Sequence, residues 1–160
     1  MECFPIIISA PSGGGKTSIV SRLLEDGKLS RVITATTRAP RKGEKNGKDY
    51  HFWSEKQFEN AVKKDEMAEW AKVHVNYYGI PKSSLDKLIK RGKHPVLVID
   101  VQGAKTVKKI YKNAVSIFIT PPSFAELKKR IAARNDGTTD VKARLESAKK
   151  ELKCIKTSLW

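Results

Sequence analysis

From Ala10 to Ser18 the chain reads Ala10-Pro11-Ser12-Gly13-Gly14-Gly15-Lys16-Thr17-Ser18, three glycines followed by a lysine and two hydroxyls. Residues without side chains let successive backbone N–H groups point into one concavity. Phosphate oxygens fit such a concavity well, the more so where it opens a helix whose first turn is positive. Lys16 adds a full charge for outer phosphates, and the Thr17 hydroxyl suits Mg²⁺. The run differs from G-x-x-x-x-G-K-[ST] only in Ala10 at the first glycine. The chemistry this predicts is capture of a nucleoside triphosphate.

Phosphate capture alone fits an ATPase, a GTPase, a kinase or a motor. Transfer of a phosphoryl group asks mainly for positioning and charge neutralisation. An enzyme with a charged acceptor therefore needs a second anion cluster and a basic piece that closes over the transferred group. Arg38, Arg41 and Tyr50 are candidates for the first, because the arginine fork matches phosphate geometry. Arg130, Arg134 and Arg144, around the polar break at 135–140, are candidates for the second. The arrangement favours a nucleotide acceptor over water.

These residues need a frame. The apolar run 4–8 before the glycines predicts a buried strand, and Ser18 to Leu24 carries apolar residues at helical spacing. That helix is expected to start at Thr17 and to end at Gly27. Arg31-Val32-Ile33 reads as a second strand. From Thr34 to Tyr50 little is apolar, which predicts a surface loop. Ser54-Glu55-Lys56-Gln57 predicts a capping box, with Phe58, Ala61 and Val62 facing inward. Met67 to Val73 reads as a strand, Asn76 to Gly79 as a turn, and Ser83 as the cap of a helix over Leu85, Leu88 and Ile89 that Gly92 stops. The unbroken apolar run Val96 to Ile99 suits a parallel strand covered on both faces, and it ends on Asp100, where ligands bind in parallel sheets. A helix through Ala104, Val107 and Ile110 and a strand at 115–119 follow. Ser123 with Glu126 caps a helix expected to pack through Phe124, Leu127 and Ile131. A last amphipathic helix carries Val141, Leu145, Ala148, Leu152 and Ile155. The succession predicts an α/β fold: a P-loop NTPase parallel sheet flanked by helices, with a small α+β insertion and a lid.

With 160 residues and 39% apolar content, the chain has the size of one domain with a real core. No apolar run approaches membrane-spanning length. The start is unlike a secretory signal, and two cysteines form no metal spacing, so a cytoplasmic location is expected. The net charge of +15 attracts polyanions in general. No aromatic-basic interleaving points to a specific nucleic acid. His51, His74 and His94 are scattered and read as structural or surface residues.

The segment Thr34-Ala-Thr-Thr-Arg38-Ala-Pro-Arg41-Lys-Gly-Glu44-Lys-Asn-Gly47-Lys-Asp49-Tyr50-His-Phe52 resembles the acceptor-phosphate signature of the guanylate kinases. Glu69-Trp70-Ala71, Asn76-Tyr77-Tyr78-Gly79 and Ile99-Asp100-Val101-Gln102-Gly103 resemble three further signatures, in the family's order. The likeness runs from about residue 5 to about residue 152. It implies ATP-dependent phosphorylation of GMP, and of dGMP, by direct in-line transfer with Mg²⁺, as a step of purine nucleotide metabolism. It implies that Arg38, Arg41, Tyr50 and Tyr78 hold the GMP phosphate and that Thr34 and Glu69 read guanine. Asp100 would lie near guanine and the water shell of the metal on Thr17. Residues 12–18 would hold the ATP phosphates, Arg134 would stack on adenine, and Arg130 and Arg144 would embrace the phosphates. Lys16, Arg38, Arg130, Arg144 and Asp100 are thus the expected catalytic residues. The alternative is a non-catalytic module of the same fold that binds phosphopeptides; an intact phosphate loop argues against it.

The same resemblance implies a core of 1–33 and 83–122, a GMP-binding insertion of 34–82, a lid with flanking helices of 123–145 and a returning helix at 146–160, in a monomer or homodimer without membrane partners. Three positions depart from the family pattern. Ile80 stands where a hydroxyl usually serves guanine O6, and Val98 stands where an acidic residue is common. Beyond Trp160 relatives usually continue through a strand, an adenine contact and a helix. The chain is therefore expected to be a fragment or shortened variant, with an exposed edge at Val115, Ile117 and Ile119 and a weakened donor site.

Overall fold

The computed structural model describes residues 2–11, 14–25, 27–73, 75–133 and 141–153. Strands without polar alternation need cover on both faces, and they receive it in a four-stranded parallel sheet. Its strands are β1 (Ile6–Ser9), β2 (Leu29–Arg31), β7 (His94–Val98) and β8 (Val115–Phe118), ordered β2-β7-β1-β8. Ile7, Ile8, Val96 and Leu97 at its centre are at most 1% exposed. On β8, which pairs with β1, Val115 and Ile117 are each 43% exposed. Ile119, expected on the same exposed edge, is instead partly buried against the cluster of Ile8, Val20 and Val96.

The helices are α1 (Lys16–Leu23), α2 (Glu55–Lys63), α3 (Lys82–Lys90), α4 (Val101–Ile110), α5 (Phe124–Ala133) and α6 (Val141–Lys153). The Ser54 hydroxyl accepts from the Gln57 N–H, and the Gln57 side chain accepts in return, which completes the capping box at α2. The α1 helix starts one residue before Thr17 and ends at Leu23, short of Gly27.

A second sheet, ordered β4-β3-β6-β5, contains β3 (Ala35–Thr36), β4 (His51–Phe52), β5 (Met67–Val73) and β6 (Asn76–Pro81). Two expectations fail here. Residues 34–50 are not simply a surface loop, because Ala35 and Thr36 form a fully buried strand. The Thr36 hydroxyl can be buried because it donates to the Tyr77 carbonyl at 2.9 Å. Asn76 to Gly79 is strand rather than turn. A Cβ at Gly79 would lie 2.8 Å from both the Glu69 carbonyl and the Trp70 Cβ, so only glycine lets β6 approach β5 this closely.

Smaller corrections have local causes. Ser83 does not cap α3; Pro81 occupies the N-cap, and the Lys82 N–H is satisfied by the Glu66 carbonyl at 2.8 Å. The second strand covers Leu29–Arg31 rather than 31–33, although the Val32 N–H still donates to the Val96 carbonyl. Leu127, Ile131 and Ala148 join α5 to α6, whereas Phe124 (37% exposed) and Val141 (41%) face outward. Ile155 lies outside the described residues.

The largest apolar cluster crosses between the sheets. Ile7, Val32 and Leu97 of the parallel sheet pack with Ala68 and Ile80 of the second sheet and with Leu85, Ala104 and Val107 from α3 and α4.

Candidate active site

The glycine loop leaves the carboxyl end of β1 and opens α1. Gly15 adopts φ +85°, which disfavours side chains. A Cβ at Gly14 would meet the Pro11 carbonyl at 2.8 Å, and the Gly14 N–H donates to that same oxygen. The Lys16 ammonium donates to the Ala10 carbonyl across the loop. Burial lowers the Lys16 pKa, and the charges of Glu151 and Asp100 oppose that fall. Thr17 and Ser18 lie in the first turn of α1. Ser12 and Gly13 lie outside the described residues, as do the side chains of Thr17 and Ser18.

Asp100 sits two residues beyond β7, at the carboxyl end of the sheet. Its carboxylate accepts from the Gly103 N–H at 2.8 Å and so caps α4. Capping and a role in the site are compatible, since a carboxylate has acceptor capacity for both. The buried Ser9 hydroxyl, which sequence reasoning missed, donates to the Ile99 carbonyl at 2.6 Å and ties the end of β1 to the residue before Asp100.

Between the two sheets lies a cleft of about 210 Å³ whose walls include Thr34, Tyr50, Glu69, Tyr78 and Ile80. These five residues, up to 46 positions apart in sequence, are brought together by β5, β6 and the residues that lead into β3 and β4. Burial, followed by repulsion from Asp100, raises the Glu69 pKa to about 7. Glu69 also lies directly over α4: a Cβ at Gly103 would meet its Cγ, Cδ and Oε1 at 3.1–3.3 Å. Gly103 is a second residue that sequence reasoning left without a role. The signal was a glycine inside a helical pattern, which costs stability unless something packs against it.

Arg38 lies 5.6 Å from the Tyr50 ring centroid. Its guanidinium donates to both Glu44 oxygens at 2.9 and 3.0 Å. Hydrogen bonding to Glu44, with a smaller contribution from Tyr78, raises its pKa. Glu44 also accepts from the Arg41 backbone N–H at 2.6 Å, so one carboxylate orders both arginine positions. The Arg41 residue itself is exposed. Val98 lines the cleft beside Ile80.

Of the arginines expected on the ATP side, Arg130 lies on α5 and Arg144 on α6. Arg130 donates to Glu126, four residues earlier on α5, at 2.8 Å. Arg144 is half-buried on α6. Arg134 lies outside the described residues.

A glycine loop between a central strand and the first helix of a parallel sheet, with a second sheet inserted in the chain and forming a cleft against the first, defines a phosphate-loop nucleotide-binding protein of the α/β class. The sequence model of the family described as guanylate kinase matches residues 3–158. A guanylate kinase of Clostridium tetani is 44% identical over 151 residues, covering 94% of this chain and 73% of the relative. One of Thermotoga maritima is 46% identical over 150 residues, covering 91% and 72%. The crystal structure of guanylate kinase from Anaplasma phagocytophilum aligns with a TM-score of 0.68 at 36% identity, covering 94% of this chain and 71% of that one. The chain belongs to the guanylate kinase family.

Proposed function

We propose that this chain transfers the terminal phosphoryl group of ATP to GMP, giving ADP and GDP, and that it accepts dGMP as well. The observation that carries the reading is the cleft lined by Thr34, Tyr50, Glu69 and Tyr78, linked to Lys16 of the glycine loop through Asp100, whose charge acts on both Glu69 and Lys16. In this reading GMP lies in the cleft with its phosphate toward Arg38, Arg41, Tyr50 and Tyr78. The Glu69 carboxylate, when ionised, accepts from guanine N1–H and the exocyclic amine, a donor pair adenine lacks. Lys16 leaves the Ala10 carbonyl and follows negative charge as it shifts between the phosphates. Arg130 and Arg144 approach from α5 and α6, and Arg134 takes the adenine face.

The close-packed loop at Gly14 and the carboxylate of Asp100 near Lys16 fit a phosphate-bound Mg²⁺, which typically needs only one or two protein oxygens. Thr17 would hold it, with Asp100 reaching its water shell. When bound, Mg²⁺ neutralises the phosphates. Among the described residues no helix is long and apolar enough to cross a membrane.

The test is a coupled ATP and GMP assay on the parent and Lys16→Ala. Turnover is expected to fall by at least about 10²-fold with an unchanged thermal midpoint. Near-normal turnover of Lys16→Ala would refute the reading.

A further inference from the structure

Alternation along two extended segments creates a second concavity behind the acceptor cleft. Thr34 and Tyr50 line the acceptor cleft, while their neighbours Ile33 and His51 line an adjoining groove of about 230 Å³. The opposite wall is one face of α3, with Ser84 and Lys87, and its C-cap Arg91, while Arg31 lies at the boundary and lines both concavities. None of the residues lining this groove is acidic. Arg31, Lys87 and Arg91 make no ion pair and no side-chain hydrogen bond among the described residues. The Arg38 guanidinium, by contrast, has its own carboxylate in Glu44.

We propose that this groove is a second anion site, taking a small, multiply charged phosphate anion of the diphosphate class, distinct from the glycine loop and from the acceptor cleft. Three cations from two elements converge on a concavity too small for a polymer track. Two of them are arginines, whose fork suits phosphate oxygens. The Ser84 hydroxyl lies 3.5 Å from His51 Nε2, so a hydroxyl stands beside an imidazole in the lining of the groove. The imidazole is held in place by stacking on Trp53, with ring centroids 6.4 Å apart and planes inclined at 28°. Burial, and then the charge of Lys87, lowers its pKa. A dianion among Arg31, Lys87 and Arg91 reverses that electrostatic effect and makes His51 a reporter of occupancy.

The experiment is a pyrophosphate titration of the full chain with GMP and ADP both saturating, so that the acceptor cleft and the glycine loop are filled. His51 is followed by its imidazole NMR signals across pH, with sodium chloride of matched ionic strength as the control. The His51 titration midpoint is expected to rise and to saturate with one equivalent bound. Arg91→Ala should weaken pyrophosphate about three- to fivefold at low salt, and Arg91→Lys should recover most of the loss. Neither change should alter the KM for GMP or the thermal midpoint. If the His51 midpoint does not rise, or moves equally in sodium chloride, or if Arg91→Ala binds as the parent does, the groove is only a solvated basic face and the proposal fails.

Discussion

The proposed reader of guanine, Glu69, titrates in the range where cells operate. Ionised, it accepts from guanine; protonated, it can donate to adenine N1 instead. With its pKa near 7 in the free protein, kcat/KM for GMP should rise with pH through that value, and the preference over AMP should narrow below it. Parallel pH profiles for GMP and AMP check this. IMP, which keeps N1–H but lacks the amine, should be intermediate. The same shift carries a stability consequence. The folded state holds the proton up to about pH 7, whereas the ordinary value is 4.5. The contribution of Glu69 to stability is therefore greatest below the lower value and declines as pH rises through 7. Thermal melts should show Glu69→Gln gaining on the parent progressively across that window. At Arg38 the expectation concerns which ligand suffers. Arg38→Ala removes the partner of Glu44 and should weaken GMP by about 2–4 kcal/mol with a much smaller effect on ATP. Equal losses in calorimetric titrations of both nucleotides would place Arg38 outside the acceptor cluster.

At the scale of elements, the site depends on close approaches that only glycine permits. In α4, replacing Gly103 by alanine should raise helix propensity by about 0.5–1 kcal/mol. Its new methyl would nevertheless press on the Glu69 carboxylate at 3.1–3.3 Å. The Glu69 side chain is the part able to yield, so the fold should survive while the carboxylate moves. Gly103→Ala is accordingly expected to keep or raise the thermal midpoint yet increase KM for GMP several-fold, with KM for ATP little changed. A variant both stable and unimpaired toward GMP would show that Glu69 tolerates displacement. The β5–β6 pair presents the opposite case. There a methyl at position 79 meets backbone on one side and the Trp70 Cβ on the other, so the strain falls on the sheet itself.

Across the whole molecule, Ile80 connects two roles that the resemblance set in conflict. It cannot donate to guanine O6, but it is 2% exposed and packs in the cluster joining both sheets. Restoring a hydroxyl with Ile80→Thr would bury a polar group and remove apolar volume from that joint. Stability should drop by about 1–3 kcal/mol, even if GMP affinity improves. Because the cluster is shared, both sheets should unfold together. In urea, tryptophan fluorescence from Trp53 and Trp70 in the insertion should therefore coincide with far-UV circular dichroism, in Ile80→Thr as in the parent. Separate midpoints would mean that the sheets fold independently of this contact.

Local patterns carried the parts of this protein whose cause is local. The glycine loop with its lysine, the continuous apolar strands, the Ser54 capping box and the acid at the end of β7 each follow from neighbours in sequence, and so they were legible there. The position of the acceptor segment was not. Ala35 and Thr36 look polar or too small to matter until the Tyr77 carbonyl accepts the Thr36 hydroxyl from 41 residues away. Asn76 to Gly79 has turn-like composition, and only the approach of β5 makes it a strand. Likewise the proton affinity of Glu69, the need for glycine at 103 and the burial of Ile80 arise from contacts between separate elements. Their energies depend on distance and desolvation, which no spacing along the chain encodes.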